Sequence, residues 1–259
     1  MHQPTKLQDM AQAACATLAR LRAEMPRVHC ITNAVAQNFT ANVLLAVGAV
    51  PSMTLSAEEI GSFVTEADAL LVNLGTFDAE RRQATGIAVK TAAREALPWV
   101  LDPVFVDRSP ARAEFARTLI ARGPKVVRLN AAEFFPLAGA EATPGTLAAF
   151  ARDNNIVVGL SGEVDIVTDG ARRASIENGH PLMARVTAMG CAGSALVAAC
   201  LAVDEDAVRA AASALVIIGV AGEVAAEKSQ GPGSLAAAIL DALYNLDAAT
   251  LRARARVTP

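Results

Sequence analysis

Aromatic residues make up only 4% of the 259-residue chain, with one tryptophan and one tyrosine, although 53% of it is hydrophobic. The apolar bulk is therefore alanine, valine and leucine, the residues of helices laid on parallel strands. Cysteine is also scarce. The four present (Cys15, Cys30, Cys191, Cys200) form no C-x-x-C pair, which excludes a thioredoxin-type centre and a cysteine-rich zinc site. Such usage suits a reduced, cytoplasmic protein. Three histidines are too few and too scattered for zinc, and His29 and His180 have no ligand spacing. Net charge is −3 with no long run of either sign, so neither nucleic acid nor an anionic membrane surface is an expected partner. The longest apolar stretches, 191–203 and 210–222, are shorter than the roughly 20 residues of a membrane span. There is no Walker A sequence and no G-x-G-x-x-G after a strand, which removes the main support for P-loop and dinucleotide readings.

What is present is an alternation of short apolar strands and amphipathic helices. Leu7, Met10, Ala14, Leu18 and Leu21 recur at helical spacing and predict a first helix over 5–24, stopped by Pro26. "VHCIT", "VPSM", "ALLVNLG", "WVLDPV" and "KVVRLN" read as strands, separated by helical segments. "NFTANVLLAVG" reads as a helix closed by Gly48, "AAEFFPLAG" as another, and "IVVGLSG" with "VDIVTDG" as a hairpin turning at Gly162. Beyond residue 185 the chain reads as almost wholly helical, with a last helix after "GPGS"; the sequence leaves the order of the basic tail over 252–259 open, although short terminal tails are usually mobile. No linker or repeat interrupts it, so one domain over 1–259 is expected. Its class is α/β, a mostly parallel central sheet with helices on both faces. In such sheets ligands sit beyond the carboxyl ends of the strands. Attention falls on Asn33, Met53, Asn73, Asp102, Arg128, Asn130 and Ser161.

"RVTAMGCAGSALVAACLAV" opens the most apolar helix with a polar turn. Gly190 allows a close turn, and the next N–H groups begin the helix unpaired, which is an anion site in principle. A cysteine there, Cys191, is expected to have a lowered pKa. Small residues at a helix start also serve plain packing. Asp102 in "LDPV" and Glu133 in "RLNAAE" suit Mg²⁺ or, equally, a loop cap and a first-turn acid. Arg128 suits a phosphate or a solvated ion pair.

In order along the chain, "VHCITNAVAQNFTANVLLAVGAVPSM", "ALLVNLGTF", "VLDPVFV", "VRLNAAE", "LSGEVDIVTDG", "NGHPLMARVTAMGC" and "AGEVAAEKSQGPGS" resemble the hydroxyethylthiazole kinases of thiamine salvage, within the ribokinase-like superfamily. The resemblance covers nearly the whole chain. It implies a three-layer ribokinase-like fold and Mg²⁺-dependent transfer of the γ-phosphoryl group of ATP to the hydroxyl of 4-methyl-5-(2-hydroxyethyl)thiazole. It also implies a cytoplasmic homotrimer with sites at subunit interfaces. Asn33, Met53 and Ala188 would meet the thiazole, Arg128 and Ser161 the ATP, and Asp102 and Glu133 the metal. Gly190 and Cys191 would form the catalytic turn, with Cys191 where sugar kinases of the superfamily keep an aspartate base.

Two departures stand out. The family's T-G-T-G-C turn reads Thr187-Ala188-Met189-Gly190-Cys191, and its R-G-N reads Arg128-Leu129-Asn130. The methyl of Ala188 narrows the pocket or opposes a positive φ. Related kinases of hydroxymethylpyrimidine or pyridoxal are the nearest alternative, and a non-catalytic thiazole-binding module is the other.

Overall fold

Short strands buried on both faces need helices on both sides, and the element order supplies them. The computed structural model describes residues 10–258. Its strands are β1 (Arg27–Ile31), β2 (Val50–Ser52), β3 (Ala69–Asn73), β4 (Trp99–Asp102), β5 (Val126–Asn130), β6 (Val157–Ser161), β7 (Asp165–Thr168), β8 (Arg173–Ile176) and β9 (Val257–Thr258). They form one sheet in the order β2-β1-β3-β4-β5-β6-β7-β8-β9. The first six in that order are parallel, and β7, β8 and β9 continue antiparallel.

Period-two alternation divides the apolar residues between two cores. Cys30, Leu71, Val100, Val126 and Val157 face α1 (Met10–Glu24), α2 (Gln37–Val47), α8 (Met189–Val203), α9 (Ala207–Ala226) and α10 (Pro232–Asn245). Leu70, Val72, Leu101, Val127 and Val158 face α3 (Ile60–Thr65), α4 (Ala79–Arg94), α5 (Pro110–Ile120), α6 (Ala131–Ala138) and α7 (Pro144–Asn154). The result is the expected three-layer α/β arrangement.

Caps explain several boundaries. Gly48 closes α2 at φ 96° and Gly139 closes α6 at φ 69°, both in the left-handed region. Helices α5 and α7, which fall in stretches left unassigned above, each begin with a hydroxyl cap followed by proline: Ser109-Pro110 and Thr143-Pro144. Helix α9 is long and apolar enough to cross a membrane, with a mean hydropathy of 1.7, but most of it is buried against α1, α8 and α10. It is the central helix of its layer.

Three expectations change. The described part of the first helix begins at Met10, and its predicted start from Thr5 lies outside the described residues. The hairpin at Gly162 gains a third strand, β8, and a fourth, β9. The tail is not a free end: α11 (Ala248–Arg254) buries Leu251, and β9 pairs with β8. Pairing to a sheet edge satisfies backbone groups that a basic composition alone does not reveal.

Candidate active site

The carboxyl ends of β1, β3 and β4 are joined by side-chain amides. Asn33 Nδ2 donates to Asn73 Oδ1 at 3.1 Å, and Asn73 Nδ2 donates to Asp102 Oδ2 at 2.7 Å. Gly75 permits the approach, because a Cβ there would lie 2.6–2.9 Å from the Asn33 side chain. Asp102 is buried, and its carboxyl is pushed up to about 6 by burial, with the Glu133 charge adding to the rise and Arg128 opposing it. Its carboxylate accepts from the Asn73 amide.

Glu133 is also buried and uses both oxygens on backbone. Oε1 accepts from Phe105 N at 2.9 Å and Oε2 from Asn130 N at 3.0 Å, while Asn130 Oδ1 accepts from Glu133 N at 3.0 Å. The first-turn acid anticipated above is therefore one half of a capping box. Glu133 lines the same cavity as Asp102.

Helix α8 lies across β1, β3 and β4. Ala188 precedes it in the left-handed region at φ 66°, and no side chain caps it. The first-turn N–H groups thus have no intrahelical partner. Arg128 reaches over from β5, with Nη1 donating to Gly190 O at 2.8 Å. The guanidinium lies over Gly193, where a Cβ would stand in ordinary contact at 3.4–3.7 Å. Cys191 Sγ accepts from Asn33 Nδ2 at 3.3 Å. The expected lowering of its pKa is overturned. Burial, together with the charge of Asp102, pushes the thiol up to about 11. The helix end does not offset the loss of water.

These groups open onto a cavity of about 870 Å³, lined among others by Asp102, Arg128, Glu133, Ser161, Ala188, Gly190 and Cys191. Arg128 Nε and Ser161 Oγ are buried with no hydrogen-bond partner. Asp165, beside them on β7, has its carboxyl raised by burial despite Arg128 and the Gly162 N–H. Asn33 reaches the site only through Cys191 and Asn73, and Met53 is not brought to this cavity. Met53 packs on the core shared by α1 and α2, between two residues held by His29: Nδ1 meets Ser52 Oγ at 2.8 Å and Nε2 meets Thr54 O at 3.2 Å. Sequence reasoning singled out Asn73 at a strand end without giving it a role, and it missed Asp165 and Asn178.

Residues 18–249 match the model of the Hydroxyethylthiazole kinase family. The chain belongs to the hydroxyethylthiazole kinase family. It is 45% identical over 247 residues to a probable hydroxyethylthiazole kinase of Agrobacterium fabrum, covering 95% of each chain. The solved structure of hydroxyethylthiazole kinase from Pyrococcus horikoshii OT3 superposes with a TM-score of 0.92 at 37% identity, covering 95% of this chain and 98% of that one. A ribokinase-like superfamily protein of Enterococcus faecalis shares the fold alone, with a TM-score of 0.67 at 14% identity over 95% and 92% of the two chains. As a member of the hydroxyethylthiazole kinase family the chain is a phosphotransferase with an alcohol acceptor. The cavity between α8 and the strand ends is lined by Arg128 and Ser161, whose Nε and Oγ have no hydrogen-bond partner.

Proposed function

We propose that the chain phosphorylates 4-methyl-5-(2-hydroxyethyl)thiazole from ATP and Mg²⁺, as a cytoplasmic enzyme of thiamine salvage. The observation that carries this reading is the unpartnered pair Arg128 Nε and Ser161 Oγ, buried beside the uncapped start of α8. Buried donors without partners are costly unless a ligand satisfies them, and a triphosphate supplies the acceptors.

Asp102 and Glu133 fit Mg²⁺ in their chemistry: two buried carboxylates on one cavity, offering only oxygen. Because Glu133 already serves two backbone N–H groups, the pair suits an ion that keeps several waters. When bound, the ion neutralises charge on the phosphoryl oxygens. The chain's own contribution is position and charge. Arg128 and the N–H groups at residues 189–191 face the group in transfer, and Asn33 and Cys191 sit where the acceptor hydroxyl approaches. As the hydroxyl oxygen bonds to the γ-phosphorus, the bond to the ADP oxygen breaks, ADP leaves with that electron pair, and the hydroxyl proton passes to water. In a loose transition state that proton leaves late, so a protonated Cys191 is no obstacle.

The homotrimer with sites at subunit interfaces belongs to the same proposal. Val35, Leu45, Val50 and Phe63 are exposed on neighbouring elements at the β2 edge of the sheet. A second copy seated there would complete a thiazole pocket that Met53 does not reach in its own chain.

The test is ADP release with ATP, Mg²⁺ and hydroxyethylthiazole, by the native protein and by Arg128→Ala. Turnover is expected, with kcat/KM reduced about 100-fold in the variant, as for loss of one preorganised charge stabiliser. Thiazole binding without ADP release from the native protein would make it a binding module.

A further inference from the structure

Part of the wall of the cavity that Arg128 and Ser161 line is the loop between β8 and α8, which contributes Asn178, Gly179, His180 and Met183. The same loop runs on into Ala188 and so sets where α8 begins. It has little regular structure of its own beyond a 3₁₀ turn over Pro181–Arg185. Its shape comes from outside.

Two features hold it. One is a notch in α9. A Cβ on Gly219 would stand 2.7 Å from Asn178 Cβ and 2.9 Å from Asn178 backbone carbon and oxygen. Gly222, one turn on, would meet Met183 Cε at 2.8 Å. Only glycine lets the loop lie this close to the helix.

The other is an ionic knot tied by the C-terminal segment. Glu223, next on the same face of α9, accepts through Oε1 from Asn178 Nδ2 at 3.1 Å and from Gly179 N at 2.9 Å. Arg256 donates from Nη2 to Glu223 Oε1 at 2.7 Å and to Glu177 O at 2.6 Å, and from Nη1 to Glu223 Oε2 at 3.3 Å. Its backbone N donates to Asn178 Oδ1 at 2.7 Å, and Asn178 Nδ2 donates to Arg254 O at 2.8 Å. Buried Asn178 therefore spends its amide on α9 and the C-terminal segment, not on the cavity.

We propose that Glu223, Asn178 and Arg256 are positioning residues for the phosphoryl donor: they clamp the loop over 177–186 to α9 and fix the donor side of the cavity. None of them is placed to touch the reacting atoms. The inference rests on the reading of this cavity as the nucleotide site. The alcohol side shares the start of α8 through Cys191, but Asn33 there bonds to Asn73 and Cys191 and to none of the three clamp residues.

The experiment measures KM for ATP, KM for hydroxyethylthiazole, kcat and melting temperature for Arg256→Ala, Arg256→Lys and Gly219→Ala. Loosening a wall that orients a ligand is expected to raise KM for ATP about 10-fold in Arg256→Ala while KM for the alcohol stays within about 2-fold. Arg256→Lys, which keeps the charge but not the fork, should recover part of the loss. Gly219→Ala displaces the loop by a different route and should give the same split. A merely structural role would lower active fraction and melting temperature with both KM values unchanged, and that outcome overturns the proposal. Titration of each protein with ADP and Mg²⁺, alongside Arg128→Ala, separates the two layers of inference. If Arg128→Ala weakens nucleotide binding and Arg256→Ala does not, the clamp is wrong and the site stands. If neither weakens it, the nucleotide site itself is misplaced and the clamp falls with it.

Discussion

Asn73 donates to Asp102 through Nδ2 at 2.7 Å and so ties the end of β3 to the buried carboxylate at the end of β4. Through its Oδ1, Asn73 also fixes Asn33, which in turn meets Cys191. Asn73→Ala leaves a buried carboxylate oxygen and an amide short of partners. Stability should fall by about 1–3 kcal/mol, read from the denaturant midpoint. kcat/KM should fall about 10-fold or more, because both ends of the chain lose their orientation. An active, unshifted variant would show that the chain does not position anything.

Cys191 should behave as a thiol, not a thiolate, since burial and Asp102 push it up to about 11. Iodoacetamide labelling is expected to be slow at pH 7.5 and to accelerate steeply only above about pH 10. Cys191→Ser should keep most of kcat, and Cys191→Asp should remain active. A folded but dead Cys191→Ser protein would require a specific role for sulfur.

Ala188 holds φ 66°, a conformation that costs an L-residue about 1–2 kcal/mol. Ala188→Gly removes that strain and adds back part of it as glycine's larger entropy loss, roughly 0.5–1 kcal/mol. A net gain of about 0.5–1 kcal/mol in unfolding free energy is expected, with kcat equal to or above the native value. Destabilisation would mean that the methyl packs usefully despite the backbone.

His29 has both ring nitrogens engaged. Because the Thr54 carbonyl can only accept, Nε2 carries the proton and Nδ1 accepts from the Ser52 hydroxyl. Burial lowers the ring from its ordinary 6.5 to about 4. Between those values the unfolded chain takes up a proton that the folded one refuses, so stability falls as pH drops from about 6.5 to 4. The full contribution is of order 3 kcal/mol. Chemical denaturation at a series of pH values should show this slope, and His29→Gln should flatten it. Equal slopes in the two proteins would mean the ring is not the group responsible.

The parallel sheet and its two helix layers were legible because alternation and helical spacing are local signals. The strand-end rule then pointed to Asp102, Arg128 and Ser161, which the fold brings to one cavity with Glu133, Ala188, Gly190 and Cys191. The thiol's ionisation was misread. A helix start is visible in the sequence, whereas burial and the neighbouring Asp102 arrive from elsewhere in the fold. Met53 follows β2 at the sheet edge, away from this cavity in its own chain, so its expected contact with the thiazole rests on the proposed second copy. Arg256 meets Asn178 across 78 residues of sequence, and no local pattern in the terminal basic stretch reveals that contact.

The most direct measurement is ADP release with ATP and Mg²⁺, offering hydroxyethylthiazole, hydroxymethylpyrimidine and pyridoxal in parallel. The account predicts turnover confined to the thiazole alcohol, with Asp102→Asn inactive on it. Turnover with one of the other two alcohols instead, or silence with all three from a protein that binds the thiazole, would contradict it.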